Sequence, residues 1–407
     1  MNNLIRKINN RLKLKRRLIA LLASLHFYGN PSKSLKIVGV TGTNGKTTVA
    51  TLLYKVAIGL GHKAGLIGTV EVLINDEKYK FDHKTPTTPD PLTLNKILKD
   101  MCREKVEYVF MEVSSHAMDQ NRVAGVHFVG GVFTNLTHDH LDYHKSLENY
   151  FKAKKKFFKI LPKNAFALSN IDDEYGEKML SGIRAQKYTY GFKNNLANPS
   201  AHEPDFKERL ETGLIGEFNA YNTLAVFGAT RLLGFDEHKT KELLKNITPP
   251  AGRFEYFMSP SSVLCIVDYA HTPDALENVL KTAKGLLTEG NKLISVFGCG
   301  GDRDPLKRKI MGKIGAIYSD IAIFTSDNPR NENPENIINQ MKEGLSADLL
   351  EKVTTVPDRK QAILESIKIA QKGDIILCAG KGHETYQEIK GIKHHFNDME
   401  EFQNILK

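Results

Sequence analysis

The sequence predicts an α/β protein in which two mostly parallel sheets are each covered by helices. Two observations predict this fold class. Short apolar runs alternate with helical patterns along almost the whole chain, which is typical of parallel sheets buried on both faces. The alternation stops at Pro249-Pro250-Ala251-Gly252 and then restarts. Because Pro and Gly interrupt regular structure, this break predicts a domain boundary in the chain of 407 residues.

The predicted elements follow the apolar runs in order. In the first half the predicted strands are 35–40, 108–113, 131–135 and 166–170, with a helix at 47–60. In the second half they are 263–268, 292–298, 321–325 and 374–379, each followed by a helix. The predicted domains are a basic helical N-terminal segment at 1–34, a central domain at 35–248 and a C-terminal domain at 249–407.

The composition argues against a disordered chain, a collagen and a bundle of membrane-spanning helices. Apolar residues make up 41% and charged residues 26% of the chain, which is the ordinary range of globular proteins. No stretch approaches the roughly 18 apolar residues of a membrane-spanning helix. The cysteines Cys102, Cys265, Cys299 and Cys378 are far apart and form no CxxC pair. We therefore expect reduced thiols and a cytoplasmic protein without a transmembrane segment.

The net charge of +10 favours anionic partners. Much of the excess lies within the first 17 residues, in a run of basic side chains that precedes the apolar stretch Leu18–Ala23. A helix that packs on the following domain explains this pattern. A short signal peptide, or a basic helix that contacts an anionic membrane or RNA, remains an alternative interpretation.

A glycine-rich loop lies between the first predicted strand and the helix after it. Residues 40–48 read Val-Thr-Gly-Thr-Asn-Gly-Lys-Thr-Thr, so the pattern is GxxGK[ST], with Val40 at the position of the first glycine of the commoner GxxxxGK[ST]. Glycines let backbone N–H groups point at a phosphate, and Lys46 would reach the terminal phosphates of ATP while Thr47 binds Mg²⁺. The fold we predict is a P-loop central domain with a C-terminal Rossmann-like α/β domain.

The loop resembles the ATP site of the Mur ligases of peptidoglycan synthesis. Further motifs match this family in order along the chain: TTPDP at 87–91, EVSSH at 112–116 with Gln120 and Arg122, TNL at 134–136, DHLDYH at 139–144, GEFNAYN at 216–222, GRFE at 252–255, DYAHTPDA at 268–275, GCGGDRD at 298–304, DNPR at 327–330 and GKGHE at 380–384. Together they are similar to the branch that makes UDP-N-acetylmuramoyl-tripeptide.

The resemblance implies an ATP- and Mg²⁺-dependent amide ligase of cell-wall synthesis. Its substrates would be UDP-N-acetylmuramoyl-L-alanyl-D-glutamate and meso-diaminopimelate, joined through an acyl phosphate. Since these are small molecules, we expect no nucleic-acid partner, and we expect a monomer, with peripheral membrane contact by the basic N-terminal helix as an open possibility. Such a site must let a carboxylate approach a polyanion, which demands metal ions and cations.

The resemblance also implies the site residues of the reaction centre. The catalytic residues would be Lys46, His140 and Lys154, with Lys154 carbamylated (N6-carboxylysine). The Mg²⁺ ligands would be Thr47, Glu112, His140 and Lys154. The nucleotide-binding residues would be Gly42, Thr43, Asn44, Gly45, Lys46, Thr47, Thr48, Asn135, Asn219, Asn222, Arg253, Asp268 and His271. From this segment alone, a solvated run of lysines is the simpler interpretation. If the side chains of Lys152, Lys155 and Lys156 lie near Lys154, we expect their repulsion to favour the neutral amine that CO₂ requires.

Two further sets match the substrates. The residues for the UDP-muramoyl dipeptide would be Thr87, Thr88, Ser114, Gln120 and Arg122. The residues for the amino acid would be Arg303, Asp327, Asn328, Pro329, Arg330, Gly380 and Glu384. In diaminopimelate-adding members the arginine of DNPR holds the second carboxylate, and lysine-adding members usually lack it. Arginines suit carboxylates, while Asp327 and Glu384 suit an ammonium group.

Three alternatives remain open at the level of the sequence. The chain could be a ligase of the same superfamily for another acid, such as a folylpolyglutamate synthetase, whose loop usually reads GKGS. It could add L-lysine. It could also be a nucleotide-binding protein without ligase activity. Only 40 residues precede Thr41, where family members carry a UDP-binding domain, so we expect residues 1–34 to replace that domain, and the mode of UDP binding stays open.

Overall fold

The structure is a computed structural model that describes residues 15–22, 24, 28–80, 87–192 and 205–406. The chain divides into two compact units. Unit 1 comprises residues 1–214 and 218–248, and unit 2 comprises residues 215–217 and 249–407.

Unit 1 is built on an eight-stranded sheet with the strand order β4-β3-β2-β5-β1-β6-β7-β8. Its strands are β1 Lys36–Thr41, β2 Ala64–Ile67, β3 Val72–Ile74, β4 Glu77–Lys78, β5 Tyr108–Glu112, β6 Phe128–Phe133, β7 Phe166–Asn170 and β8 Gln186–Tyr190. All pairs among the six main strands are parallel, and only β3 and β4 are antiparallel additions at one edge. The central strands β1 and β5 are almost entirely buried, as apolar runs predict.

Helices cover both faces of this sheet. They are α1 Lys46–Gly59, α2 Pro91–Arg103, α3 Ser115–Asp119, α4 Leu141–His144, α5 Leu147–Ile160, α6 Gly176–Leu180, α7 Glu217–Leu232 and α8 Glu237–Lys245. One core cluster includes the apolar residues of α1 and α7, and a second includes those of α2 and α5. Side-chain caps fix several helix starts: the Asp90 carboxylate accepts hydrogen bonds at the start of α2, and the Ser146 hydroxyl does so at α5.

Unit 2 has a six-stranded sheet with the order β13-β12-β11-β14-β10-β9. Its strands are β9 Glu255–Met258, β10 Leu264–Asp268, β11 Leu293–Phe297, β12 Ile321–Phe324, β13 Val353–Thr355 and β14 Ile375–Ala379, followed by the hairpin of β15 Tyr386–Ile389 and β16 Ile392–His395. Its helices are α9 Pro273–Lys284, α10 Leu306–Tyr318, α11 Pro334–Lys342, α12 Ala347–Leu350, α13 Arg359–Ile369 and α14 Asp398–Ile405. Only β9 is antiparallel in the six-stranded sheet. The predicted fold class is confirmed.

The described part of the basic N-terminal segment contains a helix at residues 15–22. Lys15, Arg16 and Arg17 are exposed, while Ala20 is fully buried. The Ser24 hydroxyl donates a hydrogen bond to the carbonyl of Gly125 (3.2 Å), which ties the segment to unit 1. The basic side chains predicted within residues 1–14 lie outside the described residues. No helix in the described ranges is long and apolar enough to cross a membrane.

Candidate active site

The glycine-rich loop connects the end of β1 to the start of α1. Gly45 precedes the helix with a φ of 83°, and a Cβ there would lie 2.4 Å from Oδ1 of Asn222. A Cβ on Gly42 would lie 1.8 Å from Oγ1 of Thr134. Both positions therefore require glycine for steric reasons as well as for backbone conformation. The N-terminus of α1, with Thr47 and Thr48 in its first turn, points its N–H groups into the loop, which is an arrangement that binds phosphate.

Two lysine side chains meet at the carbonyl oxygens of this loop. Lys46 Nζ donates to the carbonyl of Gly42 (3.1 Å) and to that of Thr43 (2.7 Å). Lys154 Nζ also donates a hydrogen bond to the carbonyl of Gly42. The loop thus gathers two of the predicted catalytic groups around one peptide unit.

The two residues that follow β6, Thr134 and Asn135, form hydrogen bonds to the glycine-rich loop. Asn135 accepts a hydrogen bond from the backbone N–H of Asn44 at Oδ1 (2.9 Å) and donates from Nδ2 to the carbonyl of Asn44 (3.3 Å). Its backbone carbonyl accepts from the N–H of Thr43 (2.8 Å). Thr134 Oγ1 donates to the carbonyl of Asn44 (2.6 Å). In the structure the Asn135 side chain therefore supports the loop, and contact with the nucleotide, which the resemblance implied, stays a prediction.

The first turns of α7 carry two more of the predicted nucleotide-binding residues, and both lie beside the glycine-rich loop. Asn219 and Asn222 are buried, and Asn222 Nδ2 donates to Oδ1 of Asn219 (3.1 Å). A Cβ on Gly45 would lie 2.4 Å from Asn222 Oδ1, so this pair lies directly against the loop.

Lys154 lies on α5 with only 1% of its surface exposed, and its ammonium lies 4.3 Å from the centre of the Tyr150 ring. Burial lowers the pKa of Lys154 well below its usual value, the Lys46 ammonium lowers it further, and Asp139 opposes the shift. The expected cause was wrong, because the neighbouring lysines point elsewhere. Lys152 pairs with Glu148, Lys156 pairs with Asp119, and Lys155 donates to the carbonyl of Lys178.

Glu112 ends β5 directly beside the loop, since its register partner in β1 is Val40. The carboxylate is 1% exposed and accepts hydrogen bonds from the N–H (2.7 Å) and the hydroxyl (3.1 Å) of Thr69. A buried carboxylate and the hydroxyl of Thr47 are oxygen ligands of the kind that Mg²⁺ prefers. Among the described residues no three His, Cys, Asp or Glu side chains form a group that could hold a metal ion by themselves.

His140 stands at the start of the short helix α4 with a left-handed φ of 52°. Its ring packs edge-on against His116 and lies 3.4 Å from the Asp139 carboxylate. The side chain is 43% exposed, but the protein packed around the ring still lowers the pKa of His140. The Asp139 carboxylate opposes this shift in pKa. The nearby side chains of His116, Lys46 and Lys154 lower the pKa further. A neutral imidazole can ligate a metal, but nitrogen is a less usual ligand of Mg²⁺ than oxygen.

The residues predicted for the UDP-muramoyl dipeptide form one hydrogen-bonded group. The Thr88 hydroxyl donates to the carbonyl of Glu112 (2.9 Å) and accepts from the N–H of Ser114 (3.1 Å). Arg122 donates to the carbonyl of Thr88 (2.8 Å) and, from Nε and Nη2, to Gln120 Oε1 (3.1 and 2.9 Å). The group continues from Thr69 to Thr87, whose hydroxyls are 3.0 Å apart. These residues are thus connected to Glu112 by hydrogen bonds.

In unit 2 the predicted nucleotide residues surround Tyr269. Arg253 lies 4.6 Å from the centre of the Tyr269 ring, and the His271 ring packs edge-on against it. Asp268 accepts hydrogen bonds from the N–H groups of Phe254 and Ala270 (both 2.7 Å). Burial raises the pKa of Asp268 to about 6, although Arg253 and these N–H groups oppose the shift.

The predicted amino-acid residues form a second group in unit 2. Asn328 donates to Glu384 (2.8 Å) and accepts from the buried Lys381 (3.2 Å). Asp327 is 7% exposed, and a Cβ on Gly380, whose φ is 114°, would lie 2.6 Å from its Oδ2. Pro329 is buried, and its carbonyl lies so close to Gly301 that a Cβ there would be 1.9 Å away. Arg303 is exposed, and a Cβ on Gly300 would lie 3.5 Å from its Cγ.

Sequence reasoning missed the residues that support these groups. They include Thr69, Tyr150, Tyr269, Arg308, Lys381 and His383. Burial together with the Arg253, His271 and Lys381 side chains lowers the pKa of His383 to about 3. Its Nδ1 is buried without a hydrogen-bond partner among the described residues. Three of these positions stand inside motifs, Tyr269 in DYAHTPDA and Lys381 and His383 in GKGHE, but no local pattern marks the supporting role of any of the six.

Comparisons with known proteins show which family the chain is similar to. The Mur ligase middle domain family matches residues 40–230, and the Mur ligase, glutamate ligase domain family matches residues 252–382. A UDP-N-acetylmuramoyl-L-alanyl-D-glutamate--2,6-diaminopimelate ligase of Bacteroides thetaiotaomicron is 52% identical over 395 residues, which cover 93% of this chain and 80% of that protein.

Solved structures give the same result. A structure with the same enzyme name has 31% identity and a TM-score of 0.63, with 95% of this chain and 82% of that chain covered. A bifunctional folylpolyglutamate synthase/dihydrofolate synthase with Mn, AMPPNP and L-glutamate bound has 18% identity and a TM-score of 0.66, with 88% and 90% covered. This second likeness concerns the fold alone.

The matched domains and the named relatives define the class first: the protein is an ATP-dependent ligase that forms C–N bonds. The chain belongs to the Mur ligase family.

Proposed function

We propose that this ligase joins meso-diaminopimelate to UDP-N-acetylmuramoyl-L-alanyl-D-glutamate. The observation that carries the proposal is the Asp327–Arg330 segment, which places an arginine beside acidic groups in a chain that is 52% identical to an enzyme named for this reaction. A guanidinium can take a carboxylate in a two-pronged hydrogen bond. Lysine lacks the second carboxylate of diaminopimelate and would leave Arg330 without that partner.

The reaction has two steps. The D-glutamyl side-chain carboxylate attacks the γ-phosphorus of ATP, an O–P bond forms, the bond to the β-phosphate oxygen breaks, and ADP leaves. The amine nitrogen then attacks the acyl carbon, phosphate leaves with the C–O bond electrons, and the nitrogen loses a proton. Transfer of this kind depends mainly on positioning and on neutralising charge. Lys46 and the N–H groups at the start of α1 supply both for the phosphates.

Thr47 and Glu112 would hold Mg²⁺, together with His140 and a carbamylated Lys154. When bound, the metal neutralises the phosphate oxygens that would otherwise repel the incoming carboxylate. The burial of the Lys154 amine supports carbamylation, because CO₂ adds only to a neutral amine. The carbamate would convert a cation into an oxygen ligand.

The two substrates would bind to the hydrogen-bonded groups described above. Arg122, with Thr87, Thr88, Ser114 and Gln120 around it, would bind an anionic part of the UDP-muramoyl dipeptide. Arg330 would bind the distal carboxylate of diaminopimelate, while Asp327 and Glu384 would attract an ammonium group. Arg253, Asp268 and His271 would contact the nucleotide.

The test is ADP release with a panel of acceptors and amino acids. We expect product with UDP-N-acetylmuramoyl-L-alanyl-D-glutamate and meso-diaminopimelate, much less with L-lysine, and none with Lys46→Ala. Arg330→Ala should raise KM for diaminopimelate at least tenfold, or about 1.4 kcal/mol, and leave KM for ATP nearly unchanged. Product only with L-lysine, or only with a folate and glutamate, would refute the proposed substrates.

The proposal extends to the setting of the enzyme. We propose that the enzyme is cytoplasmic, because the four cysteines are free thiols and three of them are buried, as in proteins of reducing compartments. We also propose that it is a monomer. Light scattering of the purified chain tests the monomer. Co-sedimentation with anionic vesicles tests membrane contact by the exposed Lys15, Arg16 and Arg17.

A further inference from the structure

The β15–β16 hairpin holds the segment that contains Arg330. The N–H of Arg330 donates to the carbonyl of Glu388 (3.0 Å), and the N–H of Lys390 donates to the carbonyl of Arg330 (2.8 Å). The N–H of Glu388 also donates to Oδ1 of Asn328 (2.8 Å). These bonds hold Arg330 at a left-handed φ of 50°, a conformation that a non-glycine residue adopts only when its surroundings impose it.

The Arg330 side chain is fixed from two directions. Nε donates to the Glu388 carboxylate (3.2 Å), and Nη1 donates to the carbonyl of Gly301 (2.7 Å). The N–H groups on Nη2 have no acceptor within the part of the chain that the structure describes, and 18% of the side chain is exposed. Nε and Nη1 each hold one hydrogen bond to the protein, while Nη2, together with the second N–H of Nη1, can still face a carboxylate.

A second pair of side chains fixes the loop that receives Arg330. The buried Arg308 donates to the Glu332 carboxylate from both Nη atoms (2.7 Å each) and from Nη2 to the carbonyl of Gly300 (3.1 Å). Glu332 also accepts from the N–H of Asp302 (2.6 Å). The carbonyl of Gly301 lies between these two attachments, so Glu332 determines where that carbonyl points.

We propose that Glu388 and Glu332 are positioning residues that set the amino-acid specificity of this enzyme by fixing the direction of the Arg330 guanidinium. This inference rests on the proposed function. Neither carboxylate needs to contact the substrate. A two-pronged hydrogen bond to a carboxylate requires the guanidinium plane to be aligned within about 10–20°. A long side chain held at Nε and Nη1 meets this requirement before the substrate arrives.

The test compares Glu388→Ala, Glu388→Gln and Glu332→Gln with the wild type. Glu365→Gln is the matched control, because Glu365 is in an exposed ion pair with Lys368 on α13 of the same unit. We expect Glu388→Ala to raise KM for meso-diaminopimelate about tenfold, as loss of a charge-assisted hydrogen bond predicts. KM for ATP should change less than about twofold. Glu388→Gln, whose amide oxygen still accepts from Nε, should restore most of the loss.

Glu332→Gln tests the loop independently of the hairpin. It should raise KM for meso-diaminopimelate by a smaller factor than Glu388→Ala, because it keeps one oxygen acceptor. The control should behave as the wild type. The proposal is overturned if Glu388→Ala leaves this KM unchanged, or if it raises KM for both substrates by the same factor, as a merely structural role would.

A crystal structure of Glu388→Ala separates this proposal from the proposed function. The Arg330 guanidinium should leave the position in which it bonds to Gly301. If it stays there, Glu388 does not position it, whichever amino acid the enzyme uses. If instead the wild type fails to use diaminopimelate while Arg330 moves in the variant, the substrate assignment is wrong and the positioning role stands.

Discussion

Lys154 shows how burial can prepare a single residue for chemistry. Burial removes water from the ammonium group and so disfavours the charged form of Lys154, which lowers the pKa of its amine. The Lys154 amine donates to a carbonyl of the phosphate loop, and Lys46 is the neighbouring cation that lowers its pKa further. Carbamylation would put a negative charge beside the Lys46 ammonium, so attraction would replace the repulsion between the two lysines.

Lys154→Ala should therefore reduce ligation by at least about 100-fold, the scale of losing one preorganised charged group. Formate or acetate should restore part of the activity, because a small carboxylate can take the place of the carbamate. ADP release measures both effects. Lys152→Ala, at an exposed lysine on the same helix, should retain near wild-type activity. Absence of rescue would argue against the carbamate.

His383 makes a prediction about stability and pH. Its pKa is about 3 in the folded protein, below the value of about 6.5 in an unfolded chain. The unfolded state therefore binds a proton that the folded state does not. The resulting stability is complete above about pH 6.5 and is lost as pH falls toward 3.

His383→Gln should remove this dependence. Relative to the variant, the wild type should lose at most about 1.4 kcal/mol of unfolding free energy per pH unit below pH 6. Urea unfolding at pH 7.5, 6 and 5 measures the difference. The control is His394→Gln, at an exposed position on β16. A constant difference between wild type and His383→Gln across this range would contradict the assignment.

At the scale of elements, a buried ion pair joins α13 to the C-terminal helix α14. Arg359 donates from Nε and Nη2 to the two oxygens of Asp398 (2.8 Å each), and both side chains are fully buried. Arg359 also donates to the carbonyl of Ala379, directly before Gly380 (2.9 Å). The pair therefore fixes the end of β14 as well as the last helix.

Asp398→Ala should destabilise the protein by about 3 kcal/mol, because it leaves an arginine buried without its counter-charge. The double variant Arg359→Met/Asp398→Leu should lose less, since it buries no unpaired charge. Denaturant unfolding compares them, with Asp348→Ala at an exposed position as the control. A double variant that is less stable than Asp398→Ala would show that packing, rather than the unpaired charge, dominates.

Most central strands could be predicted from their apolar runs, within one or two residues. The prediction for β6 began at Gly131, whereas the strand spans Phe128–Phe133. Glycine weakens a strand pattern, but here a Cβ on Gly130 would lie 2.1 Å from the Phe166 ring of the next strand. The polar or exposed strands β4, β8, β13 and β16 lack an apolar run and could not be predicted in this way.

At the scale of the whole molecule, the motifs located the site residues, but they could not show how those residues are supported. Thr69 and Glu112 are 43 positions apart in sequence, and Arg330 and Glu388 are 58 apart. Only the sheet and hairpin topology brings such pairs together. The cause of the low pKa of Lys154 was missed for the same reason, since sequence neighbours on a helix point in different directions.

The overall charge makes a further prediction. A protein with a net charge of +10 attracts ATP and a UDP-sugar more than it attracts diaminopimelate, which has no net charge at neutral pH. Raising NaCl from about 50 to about 500 mM should therefore raise KM for both nucleotides several-fold. KM for diaminopimelate should change less. Steady-state kinetics at constant Mg²⁺ measures all three, and equal changes in the three values would exclude long-range attraction.

The left-handed backbone of Arg330 has a practical consequence for redesign. Because β15–β16 imposes that conformation, grafting the four residues Asp327–Arg330 into a lysine-adding ligase should not be enough to change which amino acid is used. The donor hairpin would have to be transplanted with the tetrapeptide. A chimera carrying both pieces should acquire the new preference, and one carrying the tetrapeptide alone should not.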